Sequence, residues 1–174
     1  MKKRLGSIPT VAAVRVLEAR GPWETKSGGP LNVLYAMPFG DLLGSFFSYP
    51  EPELSTISGD IRGFRAYTVD GLPQGRSGGN EWHKVRQELV FGLAGSMRWV
   101  CEDLNGGQRV RFLGPRQGMW LPRCIPHSYE VLEEGSAFLV IANTLFDPYD
   151  PRTHDTYSLE AFRALQAMYA NSTE

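Results

Sequence analysis

The 174-residue chain holds only three histidines, His83, His127 and His154, and the first follows one carboxylate, Glu81, by two residues and precedes another, Glu88, by five. In an extended strand residues i and i+2 share a face, so Glu81 and His83 project together. Glu88 and His127 then arrive from neighbouring strands, and four polar groups converge inside a small barrel. Such a set supports two chemistries. Neutral imidazoles and carboxylates are ligands for iron, manganese, zinc or nickel, and open positions on such a metal serve oxygen or Lewis-acid reactions. A carboxylate beside an imidazole in a desolvated pocket instead moves protons next to a carbonyl. Residue types alone leave both open.

The flanking residues say where each group lies. Glu88 leads into Leu89-Val90-Phe91, so a carboxylate enters an apolar strand, where it needs a partner. His127, between Pro126 and Ser128-Tyr129, reads as a pocket residue, and His154, in a proline-broken connection, as an exposed loop residue. Trp120 and Tyr129 read as core aromatics rather than base-stacking surfaces. Cys101 and Cys124 have neither CxxC spacing nor enough partners for a disulfide framework, and read as small core residues. Gly75–Gly79 lacks the Lys-Ser/Thr of a phosphate loop and reads as a loop entering a strand.

The elements that must position these groups are short. Runs such as Val11–Leu17, Leu31–Met37, Leu42–Tyr49, Phe64–Val69, Glu88–Ala94, Met97–Glu102, Arg109–Leu113, Met119–Leu121, Ser128–Leu132 and Ala137–Ala142 recur at roughly ten-residue spacing, which predicts an all-β sandwich or barrel. Leu89-Val90-Phe91 and Phe138–Ile141 are continuous, as in strands buried on both faces. Asn105-Gly106-Gly107 predicts a hairpin turn. One helix is predicted late: Ser158 caps it, and Leu159, Phe162, Leu165 and Met168 or Tyr169 share a face. A chain of 19.4 kDa fits one domain, and a formal net charge of -1 excludes the basic field needed to hold nucleic acid or an anionic membrane. The basic start Met1-Lys2-Lys3-Arg4 has no adequate apolar segment after it, so a cytoplasmic location is expected.

Together these residues reach a known pattern. Gly75-x5-Glu81-x-His83-x4-Glu88-x6-Gly95 has the spacing of the first cupin motif, with Glu81 where the first histidine is usual. The second motif is matched in part by Pro122, by Cys124 in place of glycine, by His127, and by Val131 in place of asparagine. The order of Asp41–Phe46, Arg62–Tyr67, His83-Lys84, Gln87-Glu88, Gly95-Ser96, Gly118–Pro122, His127, Phe138–Ala142, Tyr149-Asp150 and Leu159–Phe162 resembles the sugar 3,4-ketoisomerases of the FdtA/QdtA or WxcM-like cupin group.

The resemblance implies a mainly β fold, a cupin jelly-roll barrel over residues 32–165 with a C-terminal helix. Residues 1–31 are then an N-terminal extension that supplies an exchanged strand, and 166–174 a C-terminal tail. It also implies a homodimer and a nucleoside-diphosphate-linked 4-keto-6-deoxy sugar as substrate, isomerised without metal or other cofactor. Carried over by position, His83 and Glu81 are the proton-transfer pair, with Glu81 as the base beside the ketone and His83 as the acid. Tyr67, Arg65, Glu88 and His127 are the substrate-binding residues. This chain departs from the group at Glu81, at Gly78 where an arginine is common, and at Pro126 where a tryptophan is common; Arg62, Arg65 and Arg76 are the nearby guanidinium groups. The alternative is a metal-dependent cupin enzyme holding one iron, manganese, zinc or nickel ion on Glu81, His83, Glu88 and His127, and a third reading is a sugar-binding cupin without turnover.

Overall fold

The computed structural model describes residues 8–170. The basic start Met1–Arg4 and the last four positions of the expected tail lie outside them. Two five-stranded antiparallel sheets face each other. The first runs, in spatial order, β1 (Arg15–Glu18), β9 (Gln117–Leu121), β6 (Glu88–Ala94), β11 (Ser136–Thr144) and β4 (Arg62–Leu72). The second runs β12 (Tyr157–Ser158), β5 (Ser77–Trp82), β10 (His127–Val131), β7 (Met97–Glu102) and β8 (Gln108–Leu113). A separate hairpin joins β2 (Arg20–Glu24) to β3 (Pro30–Val33). Chain order jumps between the sheets, as in a jelly roll. The mainly β expectation therefore holds.

Side-chain alternation fills the space between the sheets. Val90, Met97, Trp99, Cys101, Leu113, Met119, Leu121, Phe138 and Val140 form the buried core. On β6 the neighbours Leu89 and Phe91 point the other way, into a second cluster with Leu17, Phe46 and Trp120. That strand is buried on both faces, which is why its sequence is continuous rather than alternating. The predicted turn closes β7 onto β8: Asp103 Oδ1 accepts the backbone N–H of Asn105 at 3.0 Å and of Gly107 at 2.9 Å, and Gly106 sits at φ +78°.

One expected strand-like run is helical. Leu42–Phe46 forms a π-helical turn that lays Phe46 edge-on against Trp120, ring centroids 5.5 Å apart. A short apolar run carries no periodicity that separates strand from helix, and here the outer face of β6 needed covering. The late helix spans Leu159–Ala170 and so runs past residue 165. Ser158 Oγ accepts the N–H of Ala161 at 3.3 Å, and Phe162 is fully buried against Trp82. Strand β1 pairs with β9 of its own chain, Val16 opposite Met119. Among the described residues no helix is long and apolar enough to cross a membrane.

Candidate active site

Strand register brings the polar groups together. His127 on β10 lies directly opposite Glu81 on β5, so the two side chains share a face. His83 follows two residues after Glu81, just beyond the end of β5, and its Nε2 is 3.7 Å from the Glu81 carboxylate. Glu88 opens β6 and is buried with its oxygens 3.8 Å from His83 Nε2 and 3.6 Å from His127 Nε2. The Tyr67 hydroxyl donates to Glu88 at 3.3 Å, and the Arg86 guanidinium lies 3.5 Å from the same carboxylate. A buried carboxylate without such partners would be costly, so Arg86 and Tyr67 are the compensation that its entry into an apolar strand demands.

Both imidazoles are fixed through Nδ1. His83 Nδ1–H donates to the Asp155 carbonyl at 2.6 Å, and His127 Nδ1–H donates to the Ile125 carbonyl at 3.0 Å. A carbonyl only accepts, so the proton is on Nδ1 and, in the neutral ring, Nε2 keeps its lone pair. Burial, then the nearby Arg86 charge and His127, hold the His83 pKa well below the ordinary histidine value. His83 is thus neutral, and its Nε2 is buried with no hydrogen-bond partner. Asp155 fixes the backbone as well: its carboxylate accepts from the N–H of Lys84 at 3.0 Å and from those of Val85 and Arg86 at 2.8 Å each.

The space in front of these groups has two parts. An inner chamber of about 170 Å3 lies between Glu81, Glu88, His127, Tyr129, Trp99 and Phe138. An outer cleft of about 570 Å3 is lined by Arg65, Tyr67, Glu81, Arg86, Phe146, His154 and Thr156. Tyr67 and Glu81 belong to both. All six residues expected at a site from the sequence therefore meet in one region. Lys84 does not: its ammonium lies over the Tyr157 ring at 4.4 Å. Arg62 is paired with Asp60 at 2.9 Å and Arg76 is exposed, which leaves Arg65 as the one of the three on the cleft. At Gly78 a Cβ atom would collide with the Tyr129 hydroxyl, so the tyrosine occupies the space that a side chain there would need. Tyr129 also packs on Trp99 and Phe138, with centroids 4.9 and 5.2 Å apart, while Trp120 is a core residue on the far face of the first sheet.

Sequence reasoning missed Arg86, Asp155, Phe146 and Thr156, and placed His154 only as an exposed loop residue. Arg86 lies among the four spacer positions between His83 and Glu88, which the motif leaves free to be any residue. The others lie after β11, where no periodicity links a position to the barrel.

A jelly-roll barrel that gathers a carboxylate, two imidazoles and a second, buried carboxylate beside a cleft is the architecture of a cupin. The family model of the WxcM-like, C-terminal domain, FdtA, matches residues 53–161, and the chain belongs to that family. The fold is similar to that of QdtA, a sugar 3,4-ketoisomerase from Thermoanaerobacterium thermosaccharolyticum in complex with TDP, with TM-score 0.60, 17% identity, and coverage of 90% of this chain and 96% of that one. WlaRA, a TDP-fucose-3,4-ketoisomerase from Campylobacter jejuni, gives TM-score 0.60 at 15% identity over 88% of this chain and 96% of that one. A dTDP-4-dehydrorhamnose 3,5-epimerase from Bacillus anthracis with TDP and PPi bound gives 0.59 at 14% identity over 82% and 78%. No curated protein sequence matches the chain.

Proposed function

We propose that the protein is a sugar-nucleotide 3,4-ketoisomerase, moving the ketone of a nucleoside-diphosphate-linked 4-keto-6-deoxy sugar from C4 to C3. One observation carries this reading: His83 Nε2 is a buried, unpartnered lone pair facing the Glu81 carboxylate at 3.7 Å, and Glu81 in turn lines a cleft with Arg65 and Arg86. Membership of the WxcM-like family supports it.

The protons balance without a redox partner. His83 Nε2 takes the proton from C3, and the charge that develops on O4 faces the Arg86 guanidinium. The Glu81 carboxylate takes the proton from the O3 hydroxyl and passes it to O4, giving the enediol and then the C3 ketone. His83 returns its proton to C4. These roles exchange those expected from sequence, because the Asp155 carbonyl commits the His83 proton to Nδ1 and leaves Nε2 as a base. Tyr67, Glu88 and His127 form the wall against which the sugar is oriented, and Arg65 meets the diphosphate. The same reading includes a homodimer, with β1 kept in the sheet of its own chain and its outer edge and the β2–β3 hairpin turned to the partner. Supporting it, Val16 on β1 and Trp23 and Leu31 on the β2–β3 hairpin are each about half exposed.

A second reading, a metal-dependent enzyme, is favoured by one observation: donor atoms of Glu81, His83 and His127 lie within 4.8 Å of one another. Both histidines offer Nε2 lone pairs, so the residues fit iron, manganese, zinc or nickel, and would hold one ion that supplies Lewis-acid or oxygen chemistry. The deciding experiment is incubation with dTDP-4-keto-6-deoxyglucose, followed by NMR. The expected result is a 3-keto product, formed equally by chelator-treated protein, with turnover reduced about 10²- to 10⁴-fold in His83→Asn and in Glu81→Gln. Unchanged substrate would sink the isomerase, and activity lost to chelator and restored by metal would favour the second reading.

A further inference from the structure

Strand β5 carries one residue more than the strand it faces. Glu81 lies opposite His127 on β10 and Gly78 lies opposite Tyr129, so three steps along β5 match two along β10. The extra residue falls at Gly79-Asn80, where φ is +73° and +62°. A bulge of this kind re-aims the side chains beside it. Here it brings Gly78 and Glu81 to the same face as Tyr129 and His127, and Tyr129 has Trp99 opposite it on β7.

Gly78 leaves the room that this tyrosine needs. A Cβ atom there would collide with the Tyr129 hydroxyl and with the ring carbon that bears it, so the hydroxyl end of the ring lies over the bare backbone of Gly78, three residues from Glu81. The hydroxyls of Tyr67 and Tyr49 are committed, to Glu88 and to the Asn143 carbonyl. That of Tyr129 has no hydrogen-bond partner among the described residues, and neither has the buried indole N–H of Trp99. The ring contacts with Trp99 and Phe138 would be made as well by phenylalanine, so packing gives no reason for the hydroxyl.

The inner chamber thus offers acceptors from Glu81, Glu88 and His127 Nε2, and spare donors from Tyr129 and Trp99. A ligand that fits brings hydroxyl protons to the first and an oxygen acceptor to the second. Isomerisation through an enediol has two oxygens that carry charge in turn. Arg86 meets O4, and it lines the outer cleft rather than the chamber. O3, beside Glu81, becomes the product ketone and needs a donor of its own.

We propose that the Tyr129 hydroxyl, in the space left by Gly78, is the hydrogen-bond donor to O3 of the reacting sugar. This rests on the sugar-nucleotide reading and completes its catalytic set, with Arg86 at O4 and Tyr129 at O3. The tyrosine donates a hydrogen bond and transfers no proton, so the proton balance given above is unchanged.

Steady-state kinetics on dTDP-4-keto-6-deoxyglucose, with dTDP affinity measured alongside, tests it. Tyr129→Phe keeps the ring on Trp99 and Phe138, and is expected to lower kcat and kcat/KM alike by about 10²- to 10³-fold while dTDP affinity and the melting transition stay unchanged. Gly78→Ala, whose methyl group displaces the hydroxyl, is expected to lower kcat in the same way. Full kcat in Tyr129→Phe would overturn the O3 donor and leave the isomerase reading standing. So would a raised KM at unchanged kcat, since the contact would then favour bound substrate and transition state equally. If the unaltered protein returns this substrate unchanged, the isomerase reading fails and the donor falls with it.

Discussion

Protonating His83 would place a second positive charge beside Arg86 in a region that water barely reaches, and stability follows from that. In the unfolded chain the residue titrates near 6.5, whereas in the fold its pKa lies well below. Below 6.5 the unfolded state therefore binds more protons than the folded one, and stability falls as pH falls towards the depressed folded pKa. Asp155 acts in the opposite direction, since burial raises its pKa. The difference between the native protein and His83→Asn isolates the histidine: thermal melts between about pH 7 and pH 5 should fall more steeply for the native protein. Parallel slopes would mean that His83 carries no buried penalty. At this scale the sequence was informative where chemistry demands a pattern. Glu81, His83, Glu88 and His127 were legible from spacing, and strand register does bring them together. Arg86 and Asp155 were not, because one was read as spacer and the other acts on residues about 70 positions away through its carboxylate.

Among the elements, the C-terminal helix is held by Phe162, with Leu165 and Tyr169 packed beside it and Arg163 and Gln166 bonded to Glu102. Phe162 is fully buried, 5.7 Å from the Trp82 ring, whose other neighbour is Tyr157 at 4.9 Å. Phe162→Ala should cost about 3–5 kcal/mol in urea unfolding and release the helix to limited proteolysis. A cost below about 1 kcal/mol would mean that the site collapses without a cavity. The helix and β6 were legible because their residues obey a single period or bury two faces. Leu42–Phe46 was not, since its fold is dictated by the surface of β6 that it covers rather than by its own pattern. The loop 147–154 was read only as a proline-broken connection, because its order comes from side-chain hydrogen bonds to its own backbone, which leave no periodic trace.

For the whole molecule, the question is how many chains make the working unit. The exposed Trp23 and Leu31 on β2–β3 and Val16 on β1 fit a surface that a second copy covers. Light scattering at micromolar concentration should give twice the 19.4 kDa chain mass, and Trp23→Ser should shift the population towards the single chain. A single-chain mass for the unaltered protein would remove the homodimer from the reading. An all-β sandwich or barrel was legible from the ten-residue spacing of short runs, and the jelly roll only from the resemblance to the cupin motifs. Strand order was not, since pairing β9 with β6 and β11 with β4 joins segments that carry no local signal for each other.

The bond from His83 Nδ1 to the Asp155 carbonyl spans 72 positions. Every strand of the two sheets except β12 ends by Thr144, so a chain cut there would keep the strands that carry Glu81, Glu88 and His127 and lose the carbonyl that holds the His83 ring. The imidazole would then be able to turn and to exchange its proton between its two nitrogens. The barrel supplies the groups that meet in the pocket, and the stretch after it supplies their alignment.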